Sequence, residues 1–349
     1  MSSAARIRVK FLSRIKLPDA NLGRDYLRRF PGRSPSFGRC DFVFDPAARD
    51  YDWLVVYDDL PRAAPREPLA CAQQNTLLLT GEPSSITVYG RAFLRQFGHV
   101  LTSQEPWALK HPRTIRRQAG LFWYYGGTRE RGSFDALAAA TPPAKTKLLS
   151  TVCSTKAMKH TLHSLRLEFT RRLKADLPSL DVFGYGMGEL KDKADALDPY
   201  KYHIAIENHS CDHHWTEKLA DAFLGHCLPL YFGCTNLDAY FPRESYVWID
   251  IRDYAKARAE IERVLRSPDE YERRLPAIIE ARRRVIHEYA TFPQLARLIE
   301  ERHNPDAPRA RAGKLLRGRR SLRLRHPLDA MLDVFDKGLQ KTRHLWSPR

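Results

Sequence analysis

The stretch Tyr200–Pro242, YKYHIAIENHSCDHHWTEKLADAFLGHCLPLYFGCTNLDAYFP, decides how the chain folds. Tyr202, Ile204 and Ile206 alternate with other residues, the signature of a half-buried strand. The strand stops at Glu207-Asn208, two polar groups where a sheet would meet a ligand crevice. Thr216-Glu217-Lys218 opens a run with Leu219, Ala222 and Phe223 at helical spacing, and Gly225 ends it. A second apolar run, Cys227 to Phe232, stops at Gly233. Strand, polar loop, helix and strand make one unit of an α/β domain, with its polar ends at the carboxyl edge of a sheet.

Upstream, Leu148 to Val152 is a further strand, and Lys156 to Asp176 reads as one helix with Leu162, Leu165, Phe169 and Leu173 on one face. Arg166 lies beside that stripe. Its rigid donor fork suits a diphosphate, and a solvated helix surface is the alternative. Leu180 to Phe183 is a strand ending in Gly184 and Gly186, but no glycine pattern satisfies a P-loop or dinucleotide fingerprint. Glu217 could accept hydrogen bonds from sugar or ribose hydroxyls, or serve only the helix dipole; Lys218 could offset phosphate charge. His203, His209, Cys211, His213 and His214 match neither HExxH nor a zinc-finger spacing, so no metal site is expected. Helices follow at Tyr254–Leu265 and from Glu270, and the body ends near Glu301.

In the first half, Ile7–Leu12, Trp53–Tyr57, Thr76–Thr80 and His99–Thr102 read as strands; the last three end in polar loops, and the set suggests an open α/β sheet. Asn21 to Asp41, rich in Arg, Gly and Pro, reads as loop. Glu82 stands between Gly81, which permits a sharp exit, and Pro83, which favours an extended residue before it. A carboxylate held there could take a proton from a substrate hydroxyl, or be a solvated turn residue. The basic run Arg113–Arg117 and the aromatic run Leu121–Tyr125 could stack on sugars or bases, or form a core edge. The Ala- and Pro-rich segment that ends at Pro143 is the expected boundary. The expected domains are therefore 1–143, 144–304 and a tail, 305–349.

A length of 349 residues favours two domains over one core. Six cysteines without a CxxC pair exclude a disulfide framework. No apolar run is long enough for a membrane span, and the N-terminal residues lack the apolar core of a signal peptide, so a cytoplasmic protein is expected. Net charge is +17, but residues 307–349 hold twelve Lys or Arg against three Asp. Over half the excess thus sits in the tail, which argues against a nucleic-acid-binding body. Leu328, Met331, Leu332, Phe335, Leu339 and Trp346 can share one helical face against Lys337, Lys341 and Arg343. Such a tail could lie on an anionic membrane, pack onto the body, or stay partly disordered.

IENHS, WTEKLADAFLGHCLPLYFG and FPRESYVWIDIRDY, in that order, resemble the donor block of the alpha-1,3-fucosyltransferase family, inverting enzymes with a C-terminal GDP-fucose domain. CSTKAMKHTLHSLRLEFTRRL looks like that family's strand and Arg-bearing helix, DVFGYG like its Asp-Val-Tyr-Gly stretch, and TGEP like its Glu-bearing segment. The resemblance spans residues 76–254. His213-His214-Trp215 departs from it, standing where the family has Tyr-Val before Thr-Glu-Lys. The resemblance implies a GT-B fold, two Rossmann-like domains facing across a cleft, with the acceptor on the first and a GDP-sugar on the second. It implies Glu82 as the base, Arg166 and Lys218 on the diphosphate, Glu217 on fucose or ribose hydroxyls, and Asn208 and His214 at the donor site. It further implies GDP-fucose as donor, a glycan acceptor in surface polysaccharide or lipopolysaccharide synthesis, no cofactor and no essential divalent metal. Another GDP-sugar, and a silent homologue, are the competing expectations.

Overall fold

The computed structural model describes residues 5–14, 26–127, 129–155, 161–184, 186, 188 and 190–346. Eight strands come first: β1 (Ile7–Ser13), β2 (Ser36–Phe37), β3 (Cys40–Val43), β4 (Trp53–Tyr57), β5 (Arg66–Pro68), β6 (Thr76–Leu79), β7 (His99–Thr102) and β8 (Thr114–Arg116), with helix α1 (Arg91–Leu94) before β7. All but β5 form one sheet, ordered β2-β3-β1-β4-β6-β7-β8 and parallel except for β2. Every residue of β6, and all of β4 but Tyr57, is buried, as expected of parallel strands covered on both faces. Three of these strands, β2, the first half of β3 and β8, fall in segments expected to be loop or merely basic. They gain regularity from backbone pairing, β2 with β3, β3 with β1 and β8 with β7.

A second group of elements runs from α2 (Phe134–Ala139) through β9 (Lys147–Val152), α3 (His163–Asp176), β10 (Leu180–Phe183), β11 (Tyr200–Ile206), α4 (Glu217–Leu224), β12 (Leu228–Phe232), β13 (Val247–Trp248) and α5 (Tyr254–Arg266) to α6 (Glu270–Arg284). Their sheet is wholly parallel, in the order β10-β9-β11-β12-β13. β11 is not half-buried: six of its seven residues are buried, because the strand lies inside the sheet with both faces covered. His203, on the second face, is a core group. Its Nδ1 is hydrogen-bonded to the Ser150 hydroxyl at 2.8 Å, and burial lowers its pKa to about 3, so it is neutral. The helix expected from Lys156 is described from His163 onward; residues 156–160 lie outside the described part.

The described residues up to Gly120, joined by Ala290–Trp346, form one compact unit, and Leu121–Tyr289 the other. The division therefore falls at Gly120–Leu121, and the expected boundary at 143–144 lies inside the second unit. The aromatic run explains this. Leu121, Trp123 and Tyr125 are buried, and the Tyr124 and Tyr125 amides donate to Asp221 on α4. Farther on, Arg282 of α6 donates to the Leu137 carbonyl at the end of α2. The Pro-rich stretch is a connection within that unit.

The chain returns to the first unit through α7 (Thr291–Glu300), β14 (Leu315–Arg317), α8 (Arg319–Arg325) and α9 (Pro327–Trp346). Phe292 of α7 stacks on Phe30 at 4.4 Å. β14 pairs antiparallel with β5, and Leu316 and Leu322 join the core cluster of Leu54, Val56, Leu78 and Phe93. Arg319 reaches Asp58 and Asp59 at 3.4 and 3.2 Å. So the segment from 305 is not a free tail; its first half is part of the first unit. Leu316 is only 2% exposed, and Leu316→Ala is expected to lower stability by about 2–4 kcal/mol through the cavity it leaves. Urea unfolding tests this, and an unchanged midpoint would detach the segment from the core.

Candidate functional site

The order of the second sheet creates a crevice. From β9 the chain goes to β10 on one side, then crosses to β11 on the other, so the loops leaving β9 and β11 diverge at their carboxyl ends. β11 ends at Ile206, and Glu207 and Asn208 follow it. α3 starts against them, with the Leu162 amide donating to the Asn208 carbonyl at 3.2 Å. One turn later α3 delivers Arg166, which is 6% exposed. Its Nε, and Oδ1 of Asn208, are buried atoms without a hydrogen-bond partner among the described residues. An unmatched buried polar group costs about 1–3 kcal/mol, which a ligand with acceptor oxygens and donor hydroxyls would recover.

Beside this pair, Glu207 joins the strand end to α4. It has no exposed surface. One oxygen accepts from the Thr216 amide at 2.8 Å, the other from its hydroxyl at 2.7 Å. Thr216 also caps α4, accepting from the Lys218 amide. Lys218 Nζ then lies 2.9 Å from Glu217 and 3.6 Å from Glu207, one cation between two carboxylates. Burial raises the pKa of Glu207. Burial also pushes Glu217 up, but Lys218 and Lys193 outweigh it and pull that carboxyl down to about 2. Lys218 feels the reverse: burial lowers it, while Glu217 and Glu207 hold it above the ordinary lysine value, and the nearby Arg166 charge opposes them.

The histidines separate. The His213 amide donates to Asn236 Oδ1 at 2.7 Å, and its Nδ1 lies 2.7 Å from the Tyr240 hydroxyl. Its backbone is left-handed, with φ of 66°, so the loop turns sharply there. His214 is buried with its ring 5.5 Å from that of His209, edge to face. Trp215 anchors the loop by edge contacts with Tyr240, Phe241 and Tyr289.

Arg166, Asn208, His214, Glu217 and Lys218 all belong to the second unit, and Glu82 to the first. Glu82 follows β6 with an exposed side chain. Its amide meets the Tyr89 hydroxyl at 3.4 Å and its carbonyl accepts from Gln104 at 2.8 Å, so the backbone is held on both sides. Glu207 emerges as a member of the site that sequence reasoning noted only as a strand-end polar group. Its signal was a carboxylate at the end of a strand that proves wholly buried.

Glu217 supplies a test in pH. Its folded pKa lies below the unfolded value of about 4.3, so its stabilisation is present above that value and is lost as pH falls toward about 2. Glu217→Gln is expected to flatten the loss of stability across that window, measured as urea midpoints. An unchanged slope would refute the Lys218–Glu217 coupling.

Residues 142–275 match the family described as glycosyltransferase family 10 (fucosyltransferase) C-term. No curated protein matches the chain. Among solved structures, an alpha1,3-fucosyltransferase is similar at 15% identity and a TM-score of 0.54, over 88% of this chain and 93% of that one. A second, of alpha1,3-fucosyltransferase with GDP-fucose, is similar at 15% identity and a TM-score of 0.52, over 88% and 94%. At this identity the likeness speaks for the fold, an α/β arrangement consistent with GT-B-like glycosyltransferases. Family match and fold together support transferase activity of the glycosyltransferase family 10 type.

Proposed function

We propose that the chain is an inverting glycosyltransferase that moves L-fucose from GDP-fucose to a hydroxyl of a glycan acceptor. The observation that carries this is a pair of buried atoms at the sheet's switch point, Arg166 Nε and Asn208 Oδ1, that are unmatched among the described residues and lie next to Lys218. Arg166 and Lys218 take the diphosphate, Asn208 and Glu217 the hydroxyls of sugar or ribose, and His214 lines the donor loop. The acceptor oxygen attacks the anomeric carbon from the side opposite GDP. The bond from that carbon to the phosphate oxygen breaks, GDP leaves with the electron pair, and Glu82 receives the hydroxyl proton. Charge on the leaving diphosphate is met by the two cations, so no divalent metal is required. The GT-B arrangement, with the acceptor on the first unit and the donor on the second, belongs to the same proposal.

Glu82→Gln is expected to keep GDP affinity while transfer falls by about 10²–10⁴-fold, the usual worth of a general base. Unchanged turnover would remove Glu82 from the mechanism. A donor screen at fixed acceptor separates fucose from other GDP-sugars.

The outer face of α9 favours a second element of the proposal, attachment to the inner surface of an anionic membrane. No helix among the described residues is long and apolar enough to cross a membrane. Leu328, Met331, Leu332, Val334, Phe335 and Leu339 are each more than half exposed, and Arg320, Arg325, Lys337 and Lys341 are exposed nearby. Trp346, expected on the same face, has a side chain outside the described part. Apolar side chains with a basic surround suit an anionic lipid surface. Replacing Leu332 and Phe335 by Glu is expected to weaken binding to phosphatidylglycerol vesicles by at least roughly tenfold, given about 1.5–3 kcal/mol per buried side chain. Equal sedimentation of variant and wild type would take α9 out of membrane binding.

A further inference from the structure

The first unit contains a cavity of about 790 Å³, large enough for two or three sugar rings, between the segment Val88–Arg95, the segment Gln104–Pro112 and the last turns of α9. Four cationic side chains, Arg91, Arg95, Lys110 and Arg343, line it against one carboxylate, Asp336. Asp336 is taken up by Arg91 at 3.5 Å, and Arg95 lies 3.7 Å from Asp329. With four cations against one carboxylate the lining stays positive, and Lys110 has no carboxylate partner among the described residues. Arg343 lies over the Trp107 ring at 4.3 Å, which orients its guanidinium along the wall.

Gln340 marks the cavity as built for a polar ligand. It is 8% exposed and its amide nitrogen is fixed on the Ala108 carbonyl at 3.0 Å. The other end of the amide, Oε1, is a buried acceptor with no partner among the described residues. A ligand that satisfies this wall must bring a hydroxyl donor to Gln340 and acceptor oxygens to the cations. A neutral sugar supplies only the first, and inorganic phosphate mainly the second.

The cavity also touches the loop of Glu82. Gln104, in its wall, donates to the carbonyls of Glu82 and Thr87 at 2.8 and 2.9 Å. Ser84 donates to Glu105 and lies 2.9 Å from His344 Nε2, one residue beyond Arg343 on α9. We propose that this cavity is the acceptor subsite and that it selects an acidic saccharide, one bearing a carboxylate or phosphate. This deepens the transferase assignment and rests on it for the word acceptor; the preference for acidic sugar stands on the cavity alone. The saccharide arrives either free or as the headgroup of a glycolipid, since α9 lines the cavity on one side and exposes apolar residues on the other.

The test is calorimetric titration of the full chain with a glucuronic-acid-terminated trisaccharide and its carboxyl-reduced counterpart, and with glucose 6-phosphate against glucose. The acidic member of each pair is expected to bind roughly tenfold more tightly, the worth of one charge-assisted hydrogen bond. Lys110→Gln with Arg343→Gln, both at exposed positions, should abolish that preference, and Gln340→Leu should weaken acidic and reduced forms alike. Thermal unfolding and GDP binding, unchanged in each variant, separate loss of the site from loss of the fold. Equal affinity for acidic and neutral forms overturns the proposal, as does a preference that survives the double replacement. Failure of the wild type to bind GDP sinks the transferase assignment instead, and leaves the charge preference to its own titration. Presenting the trisaccharide on phosphatidylcholine vesicles distinguishes the sources: tighter binding there identifies a glycolipid, equal binding a soluble glycan, and either keeps the subsite.

Discussion

The carboxylate of Glu207 is the constraint on which the second unit depends. It sits without exposed surface where β11 ends, and it holds both the amide and the hydroxyl of Thr216, the residue that caps α4. The entry of α4 is thereby fixed, and with it the positions of Glu217 and Lys218. The neighbouring backbone has made room: a Cβ on Gly233 would run into Glu207 Cγ and the Tyr231 hydroxyl, so only glycine fits there. Lys218 is committed to this network as well as to the proposed chemistry. Removing one partner of a buried ion pair costs about 3–5 kcal/mol, so lost activity in a Lys218 variant would report on folding as much as on phosphate. Arg166, whose Nε has no partner among the described residues, is the cleaner probe of the diphosphate role.

Periodicity located β11, α4 and β12 within a residue or two because each carries its own pattern and its own stop: Glu207-Asn208, Thr216, Gly225 and Gly233. It misjudged the burial of β11, since His203 and Ala205 do not look like a core face until a second layer covers them. It also passed over β8, all of whose residues are half-buried; only pairing with β7 makes that segment a strand. The site divides in the same way. Asn208, Glu217 and Lys218 lie in one stretch and are visible together. Arg166 reaches them only because β9 and β11 are neighbours in register, Thr151 beside Ile204, and pairing over such a distance leaves no local mark. The domain boundary failed for a related reason. Proline and alanine between 139 and 147 look like a linker, whereas the aromatic run before them is claimed by Asp221 on α4.

The C-terminal helix shows what a two-faced pattern leaves open. Periodicity divides α9 into an apolar and a polar side but does not say which one packs. Here the polar side turns inward: Asp329, Asp333 and Asp336 meet Arg95, Arg323 and Arg91, and Gln340 meets the Ala108 carbonyl. Part of the tail's positive charge is likewise engaged at home, Arg319 with Asp58 and Asp59 and Arg323 with Asp333. That is unlike a basic arm held ready for nucleic acid.

Ion pairs of this exposed kind are worth only about 0–1 kcal/mol each, so they orient α9 more than they hold it. The firmer attachments lie at its last turns, where Gln340 is buried and His344 meets Ser84, two residues from Glu82. A helix loosely paired along its length and seated at its end has its apolar side available while its polar end stays on the loop of the proposed base. Whatever covers the outer face must therefore add apolar contact that the ion pairs do not provide. Whatever fills the cavity meets α9 where it is most firmly seated.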